Sequence, residues 1–212
     1  MSARLIAPPT ELAVSLADAR MHLRVDGTAL DPMITQWVKG ITAQLEHAIG
    51  YCVMRQTWVV SVARFDRVIN LPHPTISVDS IVYRDQNNVM QTLDPALYTL
   101  TRREYNSTLR AAHGIAWPVT VHRYYDPFYY SNIVYNHYHD NCDRRVDITE
   151  DETIDITVQC GNGVAPGEAP DNVKTYIFAK LCEQFDPTTL PAENTVQSRY
   201  IERLLDACKT YQ

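Results

Sequence analysis

Between Ile34 and Cys52 the apolar residues Ile34, Val38, Ile41, Leu45, Ala48 and Cys52 recur in alternating steps of four and three. That spacing lays a single stripe along one face of a helix. A helix of this length carries a seam that must be covered, by its own chain or by another subunit. Asp31 stands in front as a candidate N-cap, Pro32 suits the first helical position, and Gly50 is a good residue to end the helix before Cys52. The rest of the chain has to be arranged around this rod.

Residues up to Pro9 read as extended. Leu12, Leu16, Ala19 and Leu23 then return at helical spacing, with Ser15 and Asp18 placed as a capping box and Asp26-Gly27 as a turn. A short helix, a turn and the long helix make an αα-hairpin. After Tyr51 the pattern becomes β-branched and aromatic. Strands are expected at 57–62, 68–71, 78–83, 89–93, 98–100 and 109–112, with Asp85 to Asn88 as a hairpin turn. Ile154, Ile156 and Val158 alternate with polar residues, which predicts a half-buried strand that closes the same sheet. Asp171 is a candidate cap for a helix carrying Val173, Tyr176, Ile177, Leu181 and Cys182, ended by Asp186-Pro187. Residues 198–208 form a last short helix with Ile201, Leu204, Leu205 and Cys208 on one side. The order is αα, then β, then αα. It predicts an α+β fold, an α-helical bundle from the N- and C-terminal helices with a central antiparallel β domain. The expected divisions are 1–55 for the first part of the bundle, 56–165 for the β-rich domain with a Tyr-rich insertion at about 122–152, and 166–212 for the C-terminal helices.

Composition narrows the function classes. With 212 residues, 45% of them hydrophobic, the chain can bury a sizeable core. A net charge of -6 argues against general attraction to phosphate or anionic lipid. No run is long and apolar enough to span a bilayer, and the first residues lack the apolar core of a secretory signal. The five cysteines, Cys52, Cys142, Cys160, Cys182 and Cys208, are scattered and include no C-x-x-C pair, which reads as reduced thiols.

Candidate chemistry is sparse. His137, His139 and Cys142, with His122, Asp140 and Asp143 nearby, are zinc-type ligands, but no second paired motif supplies a fourth ligand. Cys160 precedes Gly161 at the end of an alternating strand, where a packed thiol is the simpler reading than a nucleophile. Gly161-x-Gly163 is no dinucleotide fingerprint, and no P-loop, H-E-x-x-H or G-x-S-x-G occurs. No catalytic, cofactor or metal site is therefore assigned. Tyr124, Tyr125, Phe128, Tyr129 and Tyr130 crowd into one stretch with Tyr135 and Tyr138. Such a cluster suits a protein contact, or a long loop packed on its own sheet.

Several pieces of the chain are familiar together. They are residues 16–25 followed by Asp26-Gly27; the long helix ending before Gly50, then Gln56-Thr57-Trp58; and Ile69-x-Leu71-Pro72-x-Pro74 leading to Val78-x-Ser80-Ile81-x-Tyr83. Leu93 with Tyr98, Trp117-Pro118, Ile154-x-Ile156-x-Val158 ending at Gly161, Pro170 to Phe178 and Glu202-Arg203-Leu204-Leu205 continue the series. In this order, over nearly the whole chain, they resemble the head–tail connector (adaptor) family of tailed phages, the gp6-like and gp8-like proteins. The stretch from about His122 to Glu152 departs from that pattern, so the resemblance says nothing of its role.

The resemblance implies a structural virion protein without enzymatic activity or cofactor, made in the host bacterial cytoplasm. It implies a homo-oligomeric ring, typically a dodecamer, beneath the portal protein at the capsid vertex. That ring extends the DNA channel, lets DNA pass without specific binding, and docks the tail or a further neck protein. It also implies that the C-terminal segment, 195–212, reaches towards the portal. Tyr200, Ile201, Leu204, Leu205, Cys208 and Tyr211 would then carry portal contact, unless that helix folds back on its own bundle. Tyr124, Tyr125, Phe128, Tyr129 and Tyr130 are the candidates for contact with the tail or a neighbouring subunit. The competing readings are a tail-completion or neck protein without portal contact, a metal- or thiol-dependent enzyme using 137–142, and a nucleic-acid-binding module.

Overall fold

A computed structural model of the chain describes residues 1–120, 154–165, 167–185 and 196–208; for 196–199 and 207 it describes the backbone alone. Helix α1 (Leu16–Leu23) starts where the capping box places it. The Ser15 hydroxyl accepts the Asp18 N–H at 3.0 Å and donates to the Asp18 carboxylate at 2.6 Å. Helix α2 (Asp31–Ile49) begins one residue earlier than a capping Asp31 would allow. Leu30 holds the cap position, and its carbonyl accepts the Ile34 N–H at 2.9 Å. The Asp31 carboxylate instead faces the Arg20 guanidinium of α1 at 3.5 Å, tying the two helices at their corner. Gly50 ends α2 in the left-handed region (φ 64°), with its N–H on the Glu46 carbonyl.

The seam of α2 is buried through Ile34, Val38, Ile41 and Leu45, as the spacing predicts. Its last inward residue is Ile49 and not Ala48, which is exposed, because two four-residue steps follow Ile41. Cys52 lies beyond the helix. Helix α3 (Asp171–Phe185) carries Val173, Tyr176, Ile177 and Leu181 inward. Asp171 is its first residue, pairing with Lys174 at 3.4 Å, and the Pro170 carbonyl takes the first helical bond. Helix α4 (Val196–Cys208) completes the bundle. One hydrophobic cluster joins α1 to α4 around Ile34, Leu45, Ile177, Leu181 and Ile201.

A second cluster fills the β part. Strands β1 (Ser2–Ala7), β2 (Gln56–Val62), β4 (Thr75–Arg84), β5 (Met90–Thr92) and β8 (Ile154–Cys160) form an antiparallel sheet of order β1-β2-β8-β4-β5. Strands β3 (Ile69–Leu71), β6 (Tyr98–Arg102) and β7 (Ser107–Ala111) form a second sheet of order β3-β7-β6. The fold is thus α+β, but the late strand does not close a single sheet. β8 sits at the centre of the larger one, paired over its whole length with β2 and also with β4. Its alternation sets which face is buried: Ile154, Ile156, Val158 and Cys160 all point inward, while β2 and β4 pair its two edges. Ile69, Leu71 and Leu109 of the second sheet meet Val60, Ile81 and Ile156 of the first in one core. The β4–β5 hairpin turns at 85–88 as expected, with the Asp85 carboxylate accepting the Asn87 and Val89 N–H groups.

Candidate assembly surfaces and the helix–sheet junction

The two clusters meet where the chain leaves α2. Cys52 donates its N–H to the His73 carbonyl at 2.7 Å, and Arg55 donates to the Gly163 carbonyl at 2.9 Å. Asn162 and Gly163 both donate to the carbonyl of Val53. Three segments, 51–56, 72–75 and 160–163, are therefore laced together by backbone bonds at the foot of the long helix. Gly161 (φ 112°) passes so close that a Cβ there would lie 2.1 Å from the Met54 carbonyl oxygen.

The junction holds polar groups that need their partners. His73 is buried, with Nδ1 3.0 Å from the Ser107 hydroxyl and Nε2 3.0 Å from the Glu104 carbonyl. The Ser107 oxygen also accepts the Thr75 N–H. A neutral ring protonated on Nε2 satisfies all of these bonds, and burial lowers the His73 pKa accordingly. Glu46, on α2, accepts the Val53 N–H at 2.7 Å and the Gln56 side-chain amide at 3.1 Å. Burial raises its pKa against the pull of those bonds. This arrangement braces backbone; it aims no general base at a nucleophile. Among the described residues no group of three His, Cys, Asp or Glu side chains could hold a metal ion. Nor is any described helix long and apolar enough to cross a membrane.

The exposed surfaces are more informative. Every residue of β1 is exposed although the strand pairs with β2 on either side of a register shift at Ile6, and Leu5 and Ile6 are 40% and 50% exposed. Two cavities, of about 360 and 430 Å³, flank Leu5 on the side of α2 and share Ala43, Glu46 and Gln56 in their walls. Helical and strand periodicity do not mark this surface. The adjacent pair Leu5-Ile6, just before Pro8-Pro9, is the signal that could have found it.

Of the six C-terminal candidates, Tyr200 is 54% exposed. Ile201 and Cys208 are buried in the helical cluster, and Leu204 and Leu205 are half-buried against it. In this subunit α4 is folded back on its own bundle, so the apolar side of the helix is covered by α2 and α3. Tyr211 lies outside the described residues. So do Tyr124, Tyr125, Phe128, Tyr129 and Tyr130, and the His137, His139 and Cys142 group.

Bundle, double sheet and junction together define a fold seen in virus-like particle necks. The chain superposes on a protein of the neck of an empty gene transfer agent (GTA) particle computed with C6 symmetry, with TM-score 0.72 and 13% identity, over 100% of this chain and 97% of that one. A chain from the virion of a native GTA particle gives TM-score 0.70 at 14% identity, and one from the neck of a native particle computed with C12 symmetry gives 0.68 at 13%, both with the same coverage. No protein-family model and no curated protein matches the chain.

Proposed function

We propose that this chain is a structural neck protein of a phage-like particle, a head–tail connector or adaptor that forms a ring beneath the portal. The observation that carries the proposal is the likeness of fold to neck chains over 100% of this chain and 97% of theirs. The order of motifs in the sequence supports the same reading. In it the protein runs no reaction. The ring, a dodecamer, extends the DNA channel, and the chain divides at about residues 55 and 165 into bundle, β domain and C-terminal helices. The net charge of -6 suits a channel past which DNA must slide.

Cyclic repetition requires two different surfaces on each subunit to meet. The long edge of β1 with its exposed Leu5 and Ile6 is one such surface, and the 122–152 stretch is the candidate for the other or for the tail. Tyr200, with the terminal residues that include Tyr211, is the portal-facing candidate, because Ile201 and Cys208 are already used to hold α4 in place.

The test is to purify the protein alone and with its portal and inspect both by negative-stain microscopy and mass photometry. Rings that stack on the portal are expected. A Tyr200→Glu variant should keep the fold and lose portal binding. Rings that form without portal contact would favour a tail-completion role, and a monomer indifferent to the portal would refute the proposal.

A further inference from the structure

Cys52 and Cys160 lie 108 positions apart in sequence and touch in the fold: their sulfur atoms are 3.1 Å apart. Both are free thiols and both are buried. They are not equivalent. Cys52 lines the cavity of about 430 Å³ that also borders Leu5, Glu46, Tyr51, Trp58 and Pro72 at the foot of α2. Cys160 is fully enclosed, donating its S–H to Cys52 Sγ and, at 3.7 Å, towards the Gln56 carbonyl. Of the two, Cys52 borders the cavity and Cys160 has no exposed surface.

We propose that Cys52 and Cys160 are an oxidisable pair, in which a low-molecular-weight disulfide enters at Cys52 and Cys160 resolves it into an internal disulfide. The Cys52 thiolate attacks one sulfur of the reagent R–S–S–R; its S–S bond breaks, and one R–S⁻ leaves and takes up the proton that Cys52 released. Cys160 then attacks Cys52 Sγ, the mixed S–S bond breaks, and the second R–S⁻ leaves and takes up the Cys160 proton. The protein loses two hydrogens, and the reagent is reduced to two thiols. In the reduced pair the hydrogen bond to Cys52, followed by burial, raises the Cys160 pKa and keeps this thiol protonated; the first of these causes is removed once Cys52 is in the mixed disulfide.

The bond would join the segment just after α2 to the end of the central strand β8, across the junction that holds the two cores together. It would close a loop containing nearly all of the β part, the class of cross-link that most restricts an unfolded chain. In a reducing cytosol the pair stays as thiols; outside the cell it becomes a staple. This inference stands on the geometry of the junction and does not depend on the assembly role.

The experiment is to incubate the folded protein with oxidised glutathione, quench with alkylating agent, and map peptides without reduction. The expected result is a 52–160 cross-linked peptide and a rise in Tm of about 5–10 °C that dithiothreitol reverses. Exposed Cys182 should carry only a glutathione adduct. In Cys160→Ala the adduct should accumulate at Cys52, and in Cys52→Ala the Cys160 thiol should remain free. Alkylation of both thiols in oxidised wild-type protein, or a cross-link to a different cysteine, would overturn the proposal. So would an adduct on Cys160 in the Cys52→Ala variant.

Discussion

Gly161 and His73 show how much of this molecule is decided by single residues at the junction. A methyl group at position 161 would meet the Met54 carbonyl oxygen at 2.1 Å and the Arg55 nitrogen at 2.7 Å, both of them backbone atoms that cannot swing aside. The φ of 112° adds strain of its own for any residue with a side chain. Gly161→Ala should therefore cost at least ~3 kcal/mol in a urea titration. His73 makes stability depend on pH. Its pKa is lowered in the fold, so the unfolded chain takes up a proton first as the solution is acidified. Stability should hold above the ordinary histidine value of about 6.5 and decline as pH falls below it towards the lowered folded value, and His73→Gln should flatten that slope. Glu46 has the opposite sign. Its pKa is raised, so the stability it contributes is present below the unfolded carboxylate value and is lost as pH rises through the folded one. Glu46→Gln keeps an acceptor for Val53 and Gln56 and should be at least as stable at neutral pH. Glu46→Ala leaves both donors without it and should cost about 1–3 kcal/mol by chemical denaturation.

At the scale of elements, α2 and α4 differ in how far their sequences could be read. The α2 stripe, its proline and its terminal glycine are local signals, and they place the helix to within a residue or two of Asp31–Ile49. The α4 stripe is equally plain, yet a stripe does not say what covers it. The fold answers for this subunit: Ile201 and Cys208 are in the same cluster as Ile177 and Leu181. Ile201→Ala should lower stability by about 2 kcal/mol, whereas Tyr200→Ala, at a residue more than half exposed, should leave the denaturation midpoint within error. Strand β8 shows a different limit. Its alternation was legible, but its place between β2 and β4 was not, because strand order depends on partners up to about a hundred residues away.

For the molecule as a whole, two cores are joined through a narrow laced junction, and the exposed strand β1 runs beside cavities that its own chain leaves open. If copies assemble through β1, then Leu5→Glu should disperse rings to monomers while circular dichroism and Tm stay those of the wild type. Mass photometry at micromolar concentration would check this. Local periodicity and turn chemistry were enough to determine the helices, most strands and the α+β order, because each depends on residues a few positions apart. The lacing of 51–56 to 160–163, the contact between Cys52 and Cys160, the central position of β8 and the partners that cover the apolar side of α4 were decided only by tertiary structure. Each brings together residues distant in the chain, and such a meeting is selected by the burial of a shared core, which leaves no mark in any short stretch of sequence.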